Sequence, residues 1–132
     1  MWLKNSVATT VVGSVPALDQ DTTAPNNSLT YAITSGNDDG AFAINGATGQ
    51  ITVANSAPLN FEATTSFTLG VSVSDGGTPQ GSDTSSVTNN LTDVNEAPTV
   101  TGGTFTLPEN SANGTAVGSA SATDPDVPAQ TF

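Results

Sequence analysis

One stretch of this chain is written twice. Trp2 to Asp21 reads WLKNSVATTVVGSVPALDQD, and Leu107 to Asp126 reads LPENSANGTAVGSASATDPD. Asn-Ser, Val-Gly-Ser and the closing Asp-x-Asp coincide without a gap, so Asp21 falls on Asp126 at an offset of 105 residues. Self-similarity at a fixed period indicates a tandem array in which each period is one structural unit. The 132 residues therefore hold one full unit and the beginning of a second. A unit of this length matches a β-sandwich domain of about 100 residues.

Inside the full unit, apolar residues alternate with polar ones and do not recur at three and four, which predicts strands. The clearest is SFTLGVSVSD, residues 66–75, where Phe67, Leu69, Val71 and Val73 face one way and Thr68, Gly70 and Ser72 the other. Residues 28–35 alternate Leu29, Tyr31 and Ile33 against polar neighbours. Residues 41–45 and 50–54 flank a hairpin-like GATG turn. Further strands are expected over residues 11–18 and 85–92, with a ragged first edge over 5–10. In the last strand Val87 and Leu91 turn inward and Asn89 falls on the same face. A buried Asn must find partners or cost stability, so a bulge or a sheet edge is expected there. Together these signals predict an all-β fold, a seven-stranded antiparallel Greek-key β-sandwich. Residues 1–98 form the complete unit. Residues 99–132 are the N-terminal fragment of the next, too short to close a second sandwich, and are expected to be disordered or loosely attached.

Charge narrows the function. Twelve acids face a single base, Lys4, for a formal net charge of −11. Such a surface repels nucleic acid phosphates and anionic membranes and favours cations. There are no cysteines, which excludes disulfides and zinc–thiolate sites. No apolar run approaches the roughly 20 residues of a membrane helix. The start, MWLKNS, lacks the basic end and apolar centre of a signal peptide. The expectation is a fragment of a longer protein or export by another route.

The acids gather near predicted strand ends. Asp19 and Asp21 form an Asp-x-Asp; Glu62 sits in LNFE; Asp75 ends the clearest strand. Asp93, Asn95 and Glu96 stand in LTDVNEAPTVTGG, with Asp124 and Asp126 beyond. Each group alone has an ordinary reading: Asp-x-Asp and Asp-Gly-Gly are common turns or caps, and a lone Glu is usually just solvated. Their fixed order says more. Hard cations such as calcium take six to eight oxygens at about 2.3–2.6 Å, and carboxylates two apart in a turning segment can converge on one.

That order resembles a cadherin repeat. The residues that carry the resemblance are ENS at Glu109–Ser111, ALDQD and ATDPD, LTYAITSGNDDGAFAINGATGQI, PLNFE, FTLGVSVSD and DVNEAP. It covers nearly the whole chain. The wording of DVNEAPT and ENSANGTAVG looks more like bacterial surface arrays than animal cell-adhesion proteins. The resemblance implies the cadherin, Ig-like sandwich and an extracellular, secreted or cell-surface setting. It implies Ca2+ bound between adjacent cadherin-like repeats. Glu62, Asp93, Asn95 and Glu96 would come from one repeat and its linker, and Asp124 and Asp126 from the next. Asp19, Asp21 and Asp75 would serve a preceding linker, with Asn26 or Asn27 offering a carbonyl. Some positions depart from the pattern: Lys4 replaces the first-strand Glu, Asn60 replaces an Asp, and Glu96-Ala97 replaces Asp-Asn. Weak binding is therefore expected, on the order of 10⁻⁴–10⁻³ M.

The function implied is a calcium-stiffened structural and adhesive module. The alternative is a module that binds polysaccharide or makes homophilic cadherin-type contacts. A carbohydrate site wants exposed aromatics, and Trp2 and Tyr31 are the only Trp and Tyr, with Tyr31 expected inside. Other readings fit less well. DQDTTAPNNSLT is not an EF-hand loop, because Ala24 stands where Gly is needed and Thr30 where Glu is needed. DGGTPQGSD lacks a tandem nonapeptide and so is no calcium β-roll. NNS, NLT and NGT match the glycosylation pattern as chance allows in so Asn- and Thr-rich a chain. An enzyme needs paired groups in one pocket, and these acids fall at predicted domain ends.

Overall fold

The computed structural model describes residues 2–3 and 7–126. The chain divides into two compact units, Met1–Val94 and Asn95–Phe132. The first contains β1 (Trp2–Leu3), β2 (Val11–Ser14), β3 (Thr30–Ser35), β4 (Phe42–Ile44), β5 (Gln50–Val53), β6 (Ser66–Ser74) and β7 (Ser82–Thr92). One sheet has the order β1-β7-β6-β3 and the other β2-β5-β4. The pairs are antiparallel except β1 with β7, which run parallel through Trp2↔Leu91 and Leu3↔Thr92.

The alternation of β6 works as its sequence implies. Leu69 and Val71 are buried, while Phe67 and Val73 are partly so. They meet Phe42, Ile51, Val53, Leu59 and Leu91 in one core. Phe42 of one sheet meets Phe67 of the other edge to face, with ring centroids 5.3 Å apart, a geometry that aromatic quadrupoles favour. Leu69 is wholly buried, and truncating such a side chain to Ala costs about 2–5 kcal/mol. Tyr31 is buried, as expected.

Loops are held by specific side chains. Asn37 Nδ2 donates to the Phe42 carbonyl at 2.8 Å, and the Phe42 N–H donates to Asn37 Oδ1 at 3.0 Å. Gly36 has a φ of +75°, and a Cβ there would run into the Thr68 carbonyl; only glycine fits both demands. In the GATG turn, the Gly49 N–H donates to the Asn45 carbonyl at 2.8 Å and the Ala47 N–H to Asn45 Oδ1 at 2.9 Å.

Three expectations change. Asn5 and Ser6 lie outside the described residues, and Val7–Thr10 form a turn instead of a strand. Thr9 adopts a φ of 72° there, and both the N–H and Oγ1 of Thr10 donate to the Val7 carbonyl. β2 stops at Ser14 instead of reaching Leu18: Val15 still donates to the Gly49 carbonyl, but Pro16 has no N–H to offer, and Leu18 is 100 % exposed. β7 pairs with β6 in unbroken register from Ser66↔Asn90 to Ser74↔Ser82, so Asn89 sits in no bulge. β1 covers only Leu91 and Thr92; among the described residues the outer edge of β7 from Ser82 to Asn90 pairs with no strand. Asn89 is 4 % exposed, and its Nδ2 has no hydrogen-bond partner among the described residues.

The second unit carries β8 (Thr99–Thr101) and β9 (Ser121–Thr123), paired antiparallel. Its local structure repeats the first unit's at the sequence offset. Gly114, in the place of Thr9, has a φ of 85°. Thr115, in the place of Thr10, donates through its N–H and Oγ1 to the Ala112 carbonyl at 3.1 and 2.7 Å. Among the described residues there is no helix long and apolar enough to cross a membrane.

Candidate metal centre

At one end of the first unit, the PLNFE segment is a tight turn. Leu59 is buried to 1 % and anchors it, and Phe61 packs on the core. The Asn60 carbonyl accepts from the Ala63 and Thr64 N–H groups, while Asn60 Oδ1 accepts from the Glu62 N–H at 3.1 Å. Asn60, which departs from the expected Asp, thus caps the turn that presents Glu62. The buried Leu91 donates its N–H to the Thr65 carbonyl at 2.8 Å and so brings the end of β7 alongside. Two residues on, a carboxylate oxygen of Asp93 lies within 4.8 Å of one of Glu62.

In the second unit, the Glu96 N–H donates to both carboxylate oxygens of Asp126, at 3.2 and 3.1 Å. A carboxylate oxygen of Glu96 lies within 4.8 Å of one of Asp126. Asp124 Oδ1 accepts from the Asp126 N–H at 3.0 Å, fixing the turn between them. Asn95 Nδ2 donates to the Glu96 carbonyl at 3.1 Å. Asp126 is buried and Asp124 half-buried, whereas Asn95 is exposed.

At the first unit's other end, Asp21 donates its N–H to Asp19 Oδ1 at 2.8 Å. This is the same turn that Asp124 and Asp126 make. Asp75 is turned into its own loop: its Oδ1 accepts from the Gly77 and Gly81 N–H groups at 2.9 and 3.0 Å, and its carbonyl from Gln80 Nε2. Asp19, Asp75 and Asp83 line one concavity of about 250 Å³. Asp83 was not singled out from sequence. It carries no motif, and only its register opposite Val73 brings it there. Among the described residues, Asp19, Asp21 and Asp75 do not converge into a close carboxylate group. Lys4 lies outside the described residues.

What these arrangements can do chemically is bind a hard cation. Every donor is oxygen, there is no thiolate or imidazole, and close carboxylates repel until a counter-charge arrives.

Comparison with known proteins points the same way. A family model described as "Cadherin domain" matches residues 3–92. Human Protocadherin Fat 4 is 39% identical over 120 residues, covering 90% of this chain and 2% of that protein. The Drosophila melanogaster protocadherin-like wing polarity protein stan is 37% identical over 129 residues, covering 92% and 4%. Among solved structures, the extracellular cadherin domains 1–5 of Protocadherin Gamma B2 superpose with a TM-score of 0.75 at 28% identity, covering 95% of this chain and 24% of that one. The chain thus spans a few per cent of the curated relatives it matches. These relatives are animal proteins, so the bacterial character suggested by DVNEAPT and ENSANGTAVG has no support among them, nor does a polysaccharide ligand.

Proposed function

The chain belongs to the cadherin family, and on that premise we propose that it is a calcium-dependent structural and adhesive module of an extracellular tandem-repeat protein. In this reading, calcium stiffens the joint between successive repeats. Glu62 and Asp93 offer carboxylates from the first unit, Asn95 and Glu96 from the linker, and Asp124 and Asp126 from the unit that follows. Without the ion, like charges keep the linker loose; with it, their repulsion is converted into binding energy. Asp19, Asp21 and Asp75 play the corresponding part toward a preceding repeat. Adjacent repeats are the immediate partners, and homophilic contacts between like surfaces supply adhesion.

The observation that carries the reading is the close pairing of carboxylates within each unit, Glu62 with Asp93 and Glu96 with Asp126. Asn60 and Leu91 spend hydrogen bonds on presenting the first pair. The shared Asp19–Asp21 and Asp124–Asp126 turn adds support, since one motif recurs at the same place in both units. Calcium titration followed by NMR tests it. Amides of Glu62, Asp93–Glu96 and Asp124–Asp126 should shift with a dissociation constant on the order of 10⁻⁴–10⁻³ M. Silence at several millimolar calcium overturns the proposal.

A further inference from the structure

The first unit has a strand site that the second unit fills. The sequence offset maps Ser121, Ala122 and Thr123 onto Pro16, Ala17 and Leu18. In the second unit those residues are β9, and β8 pairs with them through Thr99↔Thr123, Val100↔Ala122 and Thr101↔Ser121. In the first unit, Pro16–Leu18 pair with no strand among the described residues, and Leu18 stands fully exposed.

A cleft runs beside this segment, between β2 and β7. One part, of about 420 Å³, is lined by Leu18, Val71 and Asp83; the next, of about 520 Å³, by Val12, Ile51 and Asn89. The two share Val15, Pro16 and Ser85, so they form one continuous groove. From Asp83 to Asn89 the groove follows β7 for about 20 Å at 3.3 Å per residue. That edge of β7 carries no partner strand among the described residues, and an unpaired edge is a template for another strand. Asn89 lines the groove with a buried donor that lacks an acceptor. An extended backbone supplies carbonyls at that depth, and satisfying a buried donor is favourable.

We propose that this groove accepts the Thr99–Phe105 segment of a second copy of the chain, with Thr99–Thr101 pairing along Leu18–Pro16 as β8 pairs along β9. The segment TVTGGTF has seven residues, the length the groove holds, and no charge to oppose Asp83. Its Val100 and Phe105 are 68% and 50% exposed and so remain available for burial. The chain's own segment does not reach. Leu18 lies level with Asp83, nine residues and about 30 Å up β7 from Thr92. The seven steps from Thr92 to Thr99 span at most about 25 Å. Groove and donor are different surfaces of one molecule, so the contact is heterologous and association is open-ended instead of stopping at a two-fold dimer.

The test uses the full chain in chelator, which removes any association through calcium. Sedimentation at rising protein concentration should show a weight-average mass that grows past that of a dimer. A synthetic peptide of residues 98–106 should shift amides in Val15–Leu18 and Asp83–Asn89 and suppress that growth. Ala17→Pro blocks the groove and Val100→Pro blocks the donor. Each variant alone should be monomeric, and their mixture should form pairs and stop. A mass that plateaus at two, variants that still associate, or a peptide that leaves those amides unmoved overturns the proposal. The peptide measurement needs no variant to fold.

Discussion

The Glu62→Gln substitution keeps the size of the side chain and removes its charge. Carboxylate oxygens of Glu62 and Asp93 lie within 4.8 Å of each other. At that separation two unit charges repel by about 1 kcal/mol in water and by about 3.5 kcal/mol at an effective dielectric constant of 20. Asp93 is exposed, so screening places the value near the lower figure. In chelator, Glu62→Gln should therefore stabilise the chain by about 1 kcal/mol, which in a domain of 60–100 residues raises Tm by about 4–8 °C. Calcium reverses the order. At ten times its dissociation constant, a ligand that binds only the folded state adds about 1.4 kcal/mol. The natural chain should gain that increment and the variant should lose most of it. Thermal melts of both proteins, with and without calcium, read the crossing directly. If Glu62→Gln lowers Tm by the same amount in both conditions, Glu62 holds the turn together and the metal-site reasoning fails.

Other outcomes follow from the fold. Gly36→Ala forces a side chain into the left-handed region and against the Thr68 carbonyl; a loss of at least about 2 kcal/mol is expected in urea melts. Thr9→Gly places in the first unit the residue that the second unit uses at Gly114. Relief of left-handed strain, about 1–2 kcal/mol, exceeds the added entropy of glycine, so the denaturation midpoint should rise. Asn37→Ala removes both hydrogen bonds to Phe42 and should cost about 1–3 kcal/mol by the same measurement. Asn89→Leu removes a buried donor without a partner, and a chain stabilised by about 1–2 kcal/mol is expected.

Sequence reasoning reached most of the sandwich because most of its signals are local. In β6 one face is core and the other is not, so the period of two is written in Phe67, Leu69, Val71 and Val73. The GATG turn announces itself by its glycines. Residues 15–18 misled for a physical reason: Val-Pro-Ala-Leu has strand-like apolarity, but a strand exists only with a partner, and propensity supplies none. The Thr9 turn was hidden because a β-branched residue rarely takes a positive φ. The parallel β1–β7 pair joins opposite ends of the unit, and nothing in either segment specifies it. At the acidic sites, the resemblance named Glu62 and Asp93, but their proximity depends on the long-range Leu91–Thr65 hydrogen bond. Asp83 had no local signal at all.

The parallel pairing of β1 with β7 has a mechanical consequence. These are the first and last strands of the unit, lying side by side and pointing the same way. Tension applied through the chain on either side of the unit drags them in opposite directions along their shared axis. The hydrogen bonds at Trp2–Leu91 and Leu3–Thr92 are then loaded in shear and must fail together. The β6–β7 hairpin, by contrast, can be peeled from its Asn90 end one pair at a time. Two residue pairs, placed where the force enters, act as the unit's clasp.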